Sequence, residues 1–266
     1  GVSVTRNGSA GSFTSLRIRG ADAAQTLVII DGVRVGDPSS PGGGFDFANL
    51  LSVDVSRVEM LRGSNSIAWG SDAIGGVVLV DTHSGGTDGL HGSALGEIGT
   101  KDSQQAAGTL SFGGRGVTLA GGASHTHTGG VSSAAVGEET DGFTRTGAHA
   151  AATVDLTDQF SAFASLHYGR ARIALDGFAP PTYAFGDTAE YQKTRELYAG
   201  GGLAYRGGSL SARASFSRAD IHRDSFDPAH GSAATFVARG RSNQWRLVAD
   251  WRASDAARIV LGGDYE

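Results

Sequence analysis

The side chains that could carry chemistry are scattered along this sequence. His125 and His127 lie two positions apart, so they face the same side of a strand, and this spacing can ligate a metal ion. No third histidine and no carboxylate is close in sequence, and a strand that ends in polar residues explains the pair. The sequence therefore favours a polar strand end over a metal site at this position.

Patterns typical of nucleotide binding and catalysis are also missing from the sequence. The glycines of residues 70–76 are not followed by Lys-Ser, Lys-Thr or a helix pattern, which a phosphate-binding loop requires. Serine is plentiful, but no Gly-x-Ser-x-Gly elbow occurs with partners for a catalytic triad. Turn formation explains most of five scattered aspartates: Asp22, Asp31, Asp37, Asp46 and Asp54. We therefore predict that the protein is not an enzyme.

Composition favours a β-rich protein with many turns. The 266 residues include 42 glycines, five prolines and one methionine, which is not the balance of a helical protein. The net charge is −5 and no basic cluster occurs in the sequence, so no nucleic-acid partner is expected. Cysteine is absent, which excludes disulfides and thiolate metal sites. No apolar run reaches the ~18 residues of a membrane helix, although barrel strands need only short alternating segments.

Three phrases in the first 81 residues predict short strands joined by tight turns. Residues 16–20 read LRIRG, and residues 27–35 read LVIIDGVRV, in which Asp31-Gly32 between two apolar runs signals a hairpin. Residues 57–81 read RVEMLRGSNSIAWGSDAIGGVVLVD and indicate two strands around a glycine-bounded loop. Residues 45–57 carry apolar side chains at helical spacing, which predicts a short helix.

From Gly85 onward the pattern changes to that of a membrane barrel. Segments of about ten residues alternate apolar and polar side chains, and we count roughly nine such strands. Aromatic residues fall near the ends of the apolar faces, as girdle residues at lipid interfaces do. Many apolar positions are Ala or Gly, whereas a soluble β-sandwich would bury large branched residues. The pattern therefore predicts antiparallel transmembrane β-barrel strands.

The N-terminal phrases resemble the plug domain of TonB-dependent outer-membrane receptors. The likeness rests on the order LRIRG, VIIDGV, RVEMLRG, AWG and SDAIGGVV, and it covers residues 16–81. Within the family the sequence is most similar to the cobalamin receptor, through residues 70–78 and through later phrases such as ASHTH and DGF. The resemblance implies a mainly β protein, with a small α+β plug domain at residues 1–84 and barrel strands at residues 85–266.

The resemblance also implies that this chain is an internal fragment. Plugged outer-membrane transporters have about 22 strands, more than this sequence provides. The sequence shows neither a signal peptide nor the N-terminal segment that adds as a strand to TonB. We therefore expect a plug truncated at its N-terminus and a barrel truncated at its C-terminus.

The function implied by the resemblance is active uptake across the outer membrane of a Gram-negative bacterium. Such receptors bind a scarce, bulky nutrient outside, and TonB with its inner-membrane energising proteins pulls on the plug. Cobalamin is the preferred ligand, and a ferric siderophore is the alternative. A passive porin or adhesin barrel in the outer-membrane lipid stays open, although an open pore has no need of a plug. A soluble glycine-rich β enzyme is a weaker third interpretation.

The resemblance assigns three groups of candidate site residues. Ligand-binding residues are expected in two apical loops of the plug: Gly36, Asp37, Ser39, Ser40, Phe45, Ser64, Asn65, Ser66 and Trp69. Contacts with glutamates of the barrel wall are expected at Arg19 and Arg62. No cofactor is required, but a structural Ca²⁺ could be held in extracellular loops by Asp176, Asp187 and Asp227. Surface loops, charges exposed on a soluble domain and turn aspartates are the simpler interpretations of the three groups.

Overall fold

The chain folds into an N-terminal domain that packs against one face of a long antiparallel sheet. The computed structural model describes residues 1–63, 69–70, 72–82, 88–135, 137, 139–178, 180–181 and 183–266. The last strand of the N-terminal domain ends at Asp81 and the first strand of the long sheet begins at Gly89. The predicted domain boundary between residues 84 and 85 lies outside the described residues, so it stays a prediction.

The N-terminal domain contains two small sheets. One is antiparallel and joins β1 (Val2–Arg6) to β2 (Thr14–Ile18). The other has the order β4-β3-β6-β5, with the bounds β3 Thr26–Ile30, β4 Val33–Val35, β5 Arg57–Arg62 and β6 Gly76–Asp81. Its central strands β3 and β6 run parallel, and every residue of β3 is buried. A parallel strand covered on both faces reads as a continuous apolar run, which explains the sequence LVII.

The hairpin predicted at Asp31-Gly32 is confirmed. Asp31 and Gly32 have φ angles of 47° and 79°, the left-handed conformation that a two-residue turn of type I′ requires at both positions. The turn joins β3 to β4, with Ile30 paired to Val33. Glycine satisfies this backbone without a Cβ clash, so the local sequence alone specifies the turn.

The helix predicted over residues 45–57 is wrong. Two short 3₁₀ turns stand there instead, Phe47–Asn49 and Ser52–Asp54, and the backbone between them is extended at Leu50 and Leu51. Asp46 caps the first turn by accepting a hydrogen bond from the N–H of Ala48 at 3.0 Å. The apolar spacing instead reflects packing, because Phe47, Leu50 and Val55 all lie against the core of the domain.

The long sheet is a meander in which each strand pairs with its neighbour in sequence. Within the described ranges it has nine strands: β7 Gly89–Gly99, β8 Ser103–Gly114, β9 Val117–Thr128, β10 Phe143–Asp155, β11 Phe160–Gly177, β12 Gly186–Gly207, β13 Leu210–Phe226, β14 Ala234–Ser254 and β15 Ala257–Tyr265. The mainly β fold and the antiparallel barrel-type strands predicted from sequence are confirmed.

The two ends of the long sheet differ. At one end the strands turn through two to four residues, as at Arg115-Gly116 between β8 and β9 and at Gly208-Ser209 between β12 and β13. At the other end the connections after β9, β11 and β13 are longer, and β11 to β14 reach 17 to 22 residues. These four strands therefore extend past the rest of the sheet on the side of the longer loops.

Apolar side chains join the two units. The core of the N-terminal domain, with Ile18, Val28 and Val78 at its centre, continues into Tyr198 of β12 and Ile221 of β13. The sheet face that carries these contacts is called the inner face here, and the opposite face is the outer face. No helix in the described ranges is both long enough and apolar enough to cross a membrane.

Candidate functional site

The loop at residues 36–46, one of the two loops predicted to bind ligand, is folded around the carboxylate of Asp37. One carboxylate oxygen accepts hydrogen bonds from the backbone N–H of Ser39, at 2.9 Å, and from the Ser39 hydroxyl. The backbone N–H of Asp37 donates to the carbonyl oxygen of Gly43 at 3.0 Å, which closes the loop. The loop is thus held from within, Gly36, Ser39 and Ser40 are half-buried, and residues 41–43 form the exposed tip.

The same carboxylate forms an ion pair with the long sheet. Its second oxygen lies 2.9 Å from a guanidinium nitrogen of Arg223 on β13, and only 2% of the Asp37 side chain is exposed. Gly240 of β14 lies directly against the loop, since a Cβ there would come within 2.2 Å of the backbone of Pro38 and Ser39. Charge pairing and close packing together dock the loop on the inner face.

Phe45 anchors the end of this loop in the core between the two units. Its ring packs edge-on against Phe47, with centroids 5.1 Å apart, and lies 6.1 Å from the ring of Tyr198. Beside the rings, the side-chain amide of Asn49 donates a hydrogen bond to the carboxylate of Glu196 on β12. Phe45 therefore faces protein in this structure, and its contact with a ligand stays a prediction.

Trp69 represents the second predicted loop, because Ser64, Asn65 and Ser66 lie outside the described residues. Its carbonyl oxygen accepts a hydrogen bond of 2.7 Å from Arg246 of β14, and the Arg246 guanidinium lies 5.4 Å from the centre of the Trp69 ring. Such an arrangement combines a charge-assisted hydrogen bond with a cation–π contact. Trp69 is thereby fixed between the N-terminal domain and the long sheet.

Two adjoining cavities separate the N-terminal domain from the inner face of β12 to β15. One, of about 360 Å³, is lined by Trp69 and by the basic side chains of Arg213 and Arg246. The other, of about 320 Å³, lies under the loop at residues 36–46. Ser217 and Gln244 line both cavities, which therefore form one gap that runs along β13 and β14.

A group of carboxylates lies at the end of the long sheet that carries the longer loops. Glu139, Asp141 and Asp176 each place a carboxylate oxygen within 4.8 Å of the other two. The carboxylate of Asp176 accepts hydrogen bonds from the backbone N–H of Ala134 at 2.6 Å. Asp187 adjoins the group, because its carboxylate accepts a hydrogen bond of 3.1 Å from the backbone N–H of Glu139.

The carboxylate group has an excess of negative charge. Burial raises the pKa of Glu139, and the nearby carboxylates of Asp141, Asp176 and Asp187 raise it further. Asp141 is fully buried, and one of its oxygens has no hydrogen-bond partner among the described residues, while the other accepts from Ser133 at 2.7 Å. Carboxylate oxygens are the ligands that a hard cation such as Ca²⁺ prefers, and a bound cation would balance the charge.

Asp227, the third predicted calcium ligand, is occupied elsewhere. It caps the 3₁₀ turn Pro228–His230 by accepting a hydrogen bond of 2.9 Å from the N–H of Ala229, and it pairs with the His230 ring. Asp176 and Asp187 are brought together with Glu139 and Asp141, which sequence reasoning missed. The two carboxylates of Glu139 and Asp141, two positions apart shortly before β10, were the available signal.

The residues of the N-terminal domain match a known family. Residues 1–77 match the TonB-dependent Receptor Plug Domain. The N-terminal domain is called the plug from here on, and the long sheet is called the wall. The resemblance stated from the sequence phrases is thus confirmed for the plug, while likeness to the cobalamin receptor in particular stays a prediction.

Solved receptor structures share the fold of the chain. A mutant of the ferric enterobactin receptor PfeA from Pseudomonas aeruginosa is 16% identical, with a TM-score of 0.68 over 99% of this chain and 44% of its own. The ferric yersiniabactin uptake receptor FyuA from Yersinia pestis is 17% identical, with a TM-score of 0.69 over 98% of this chain and 43% of its own. The ferripyoverdine receptor of the outer membrane of P. aeruginosa is 14% identical, with a TM-score of 0.65 over 99% of this chain and 38% of its own. This chain spans less than half the length of each.

The plug arginines predicted to meet wall glutamates are exposed. Arg19 follows β2 with a φ of 56°, and its guanidinium lies near Gly63, while Arg62 ends the edge strand β5. The contacts of these two side chains with the rest of a barrel stay a prediction. The wall glutamate that the structure does bring to the plug is Glu196, and its partner is the neutral amide of Asn49.

In most of the charged contacts between plug and wall, the arginine belongs to the wall and its partner belongs to the plug. Among the described residues, three wall arginines reach the plug: Arg223 at the Asp37 carboxylate, Arg246 at the Trp69 carbonyl and Arg213 at the Gly32 carbonyl, 3.4 Å away. Sequence reasoning missed all three. Alternation along β13 and β14 indicates that these side chains share the inner face, but it gives no information on which plug residue lies opposite.

Proposed function

We propose that the protein is a TonB-dependent receptor of the Gram-negative outer membrane that takes up a scarce, bulky ligand. The observation that carries the proposal is a plug domain packed on the inner face of a nine-stranded meander with an apolar outer face. A plug blocks passive flow, so a receptor of this kind must release its ligand by moving the plug. The proposal involves no covalent chemistry.

The outer face of the wall has the height and composition of a lipid-facing surface. On β11 the outward positions run from Phe160 through Leu166 to Tyr168, and on β12 from Leu197 to Tyr205. Each run has nine residues, which is within the range of about 9–11 residues that a tilted strand needs to cross the membrane. Aromatic rings stand at both edges of the band, as Phe160 and Tyr168 do on β11.

The loop lengths orient the wall in the membrane. Outer-membrane barrels have short periplasmic turns and longer extracellular loops. The turn at Gly208-Ser209 then lies on the periplasmic side, and the connections after β9, β11 and β13 lie outside the cell. In this orientation the Asp37 loop and the carboxylate group at Glu139 are both on the extracellular side.

A ferric siderophore is the ligand class that we favour. Three receptors with this fold are named for ferric enterobactin, ferric yersiniabactin and ferripyoverdine. Cobalamin, preferred from the sequence phrases at residues 70–78, is the second candidate. The gap under the Asp37 loop is lined by the Arg34–Asp72 ion pair and by the polar side chains of Ser217 and Gln244, which could contact either ligand.

The deciding experiment is equilibrium binding to the full-length protein in detergent. Ferric enterobactin, ferric yersiniabactin, ferripyoverdine and cobalamin would be titrated in parallel. Submicromolar binding of one chelate, with uptake by cells that stops when TonB is deleted, supports the proposal. Passage of small solutes that continues without TonB, and binding of none of the probes, would assign the barrel to a porin or adhesin instead.

We also propose that Glu139, Asp141 and Asp176 hold a structural Ca²⁺. Calcium at millimolar concentration outside the cell is enough to fill a weak extracellular site. Calorimetric titration of the full-length protein with CaCl₂ should show a Kd on the order of 0.1–1 mM. Asp141→Asn should abolish that heat, whereas Asp227→Asn should not, because Asp227 caps its own turn. Equal heats in both variants would remove the site.

A further inference from the structure

The outer face of the wall carries a group of four cations just beyond its apolar band. The first outward-facing residue past the band is Arg170 on β11 and Arg195 on β12, directly above Tyr168 and Leu197. One step further along the same strands stand Arg172 and Lys193. These four exposed side chains are called the outer cationic patch. They lie together in a protein whose net charge is −5.

The pairing of β11 with β12 places like charges directly opposite each other in this patch. Arg170 is the cross-strand partner of Arg195, and Arg172 is the partner of Lys193. Directly opposed side chains on one face have Cβ atoms about 5 Å apart, and two like charges at that distance destabilise the sheet. No carboxylate among the described residues lies within ion-pair distance of Arg170 or Arg195. The arrangement has a cost in the isolated chain, and a bound anion between the guanidinium groups would remove it.

The neighbouring strand β13 brings a carboxylate to one edge of the patch, because Asp224 is the cross-strand partner of Lys193. On β13 and β14, Asp220 accepts from Arg218 at 3.3 Å and from Arg241 at 2.9 Å. His222 lies 3.0 Å from Asp224 on the same strand. Asp220 thus pairs with two arginines of its own surroundings, and no ion pair among the described residues joins Asp220 or Asp224 to Arg170 or Arg195.

The upper pair of the patch is held by aromatic rings, whereas the lower pair is not. The guanidinium of Arg172 lies 4.3 Å from the centre of the Tyr191 ring, and the Lys193 ammonium lies 5.0 Å from that of Phe226. Arg172 is also close enough to lower the pKa of Glu139 through its charge. Arg170 and Arg195, next to the apolar band, are thus the pair that most lacks an anionic partner.

We infer that Arg170 and Arg195 bind a phosphate group of the glycolipid in the outer leaflet. The inference rests on the proposed function, because it places the band of Tyr168 and Leu197 in the outer membrane. Two adjacent guanidinium groups can each donate paired hydrogen bonds to one phosphate. The acyl chains of the same lipid would continue along Leu166, Tyr168 and Leu197 below. A free anion would make the charged contacts but not the apolar ones.

The test is lipid binding by the full-length protein in detergent. Bisphosphorylated hexa-acyl lipid A would be titrated into the wild type and into the Arg170→Gln/Arg195→Gln variant, at 0.1 M salt. We expect the variant to bind at least about tenfold more weakly. The matched control is Arg115→Gln/Arg252→Gln, which removes two exposed positive charges at the opposite end of the strands and should change the affinity less than about twofold.

Two further ligands separate the chemical sources of the binding energy. Lipid A without phosphates, but with the same acyl chains, should bind the wild type about as weakly as the phosphorylated lipid binds the variant. Inorganic phosphate at millimolar concentration should not displace lipid A. Equal affinity of wild type and variant, or equal affinity for the dephosphorylated lipid, overturns the inference, and full displacement by phosphate assigns the pair to a free anion.

Failure of this inference differs from failure of the proposed function. Both variants must first show the heat-dependent gel migration of a folded barrel. If a ferric chelate or cobalamin binds while the affinity for lipid A is the same in the wild type and in the Arg170→Gln/Arg195→Gln variant, only the inference on the phosphate site fails. If none of those ligands binds while lipid A binding depends on the arginines, only the assignment as an uptake receptor fails.

Discussion

Asp37 and Arg223 bring a carboxylate of the plug and a guanidinium of the wall out of water at a distance of 2.9 Å. A buried ion pair contributes little compared with a well-packed apolar pair, but a single buried charge left without its partner costs about 3–5 kcal/mol. Asp37 also organises its own loop through Ser39. The pair therefore couples the shape of the loop at residues 36–46 to its attachment on β13.

Replacing Arg223 should open this loop. Arg223→Ala leaves the Asp37 charge buried, so the amide protons of Ser39 and Gly43 should exchange roughly 100-fold faster, the equivalent of about 3 kcal/mol. Hydrogen exchange measured by mass spectrometry on the full-length protein would report it. Arg218→Ala on the same strand removes an exposed pair with Asp220 and should change exchange in the loop less than about threefold. Similar exchange in both variants would contradict the coupling.

The carboxylate group predicts a dependence of calcium binding on pH. Burial and the neighbouring carboxylates raise the pKa of Glu139, and only the ionised form can bind the cation. Calcium affinity should therefore fall as the pH drops through this raised pKa, at a higher pH than for an ordinary glutamate. Calorimetric titrations with CaCl₂ at pH 7.5, 6.5 and 5.5 would measure the loss.

In the absence of calcium, a rise in pH has the opposite effect: it lowers the contribution of Glu139 to folding stability. Because the folded protein holds a proton on Glu139 more tightly than the unfolded chain does, the contribution of Glu139 to stability decreases as the pH rises through the raised pKa. Glu139→Gln should thus raise the thermal midpoint of the calcium-free protein at neutral pH and remove the response to CaCl₂. An unchanged calcium response in this variant would exclude Glu139 as a ligand.

β13 and β14 fix the position of the plug loop through backbone contact as well as charge. Gly240 has no space for a side chain, since a Cβ would lie 2.2 Å from the carbonyl carbon of Pro38, and backbone atoms cannot yield as a flexible side chain can. Gly240→Ala should push the loop away from the wall. Measured by hydrogen exchange, the residue 36–46 segment should lose protection, whereas Gly263→Ala on β15, with nothing within 4 Å, should leave it unchanged.

Elements whose information is local could be predicted from the sequence, and those set by distant contacts could not. The hairpin at Asp31-Gly32 depends on two residues with positive φ, and the nine wall strands depend on alternation within each strand. The apolar spacing of residues 45–57 was misinterpreted as a helix because it records packing against the core. The Asp37–Arg223 pair joins residues 186 positions apart, and no local pattern specifies such a partner.

Only the part of the outer face that carries the apolar band should contact lipid. Two matched substitutions, one inside the band and one outside it, test this assignment. Leu247 and Val237 are both exposed, and both face outward on β14, but only Leu247 lies within the band. Leu247→Arg should destabilise the full-length protein in lipid vesicles by about 2–4 kcal/mol, and Val237→Arg by less than about 1 kcal/mol. Urea titration followed by gel migration of unboiled samples would compare them. Equal costs would argue for a wall that faces water.

In the part of the chain that the structure describes, two of the three wall arginines that contact the plug do so at backbone carbonyl groups, those of Gly32 and Trp69. Every amino acid supplies such a carbonyl, so these contacts constrain the evolution of Arg213 and Arg246 but leave the side chains they meet free to diverge. A plug exchanged between two genes by recombination would keep both anchors wherever its backbone follows the same path. At these two contacts, the residue type is therefore constrained in the wall and not in the plug.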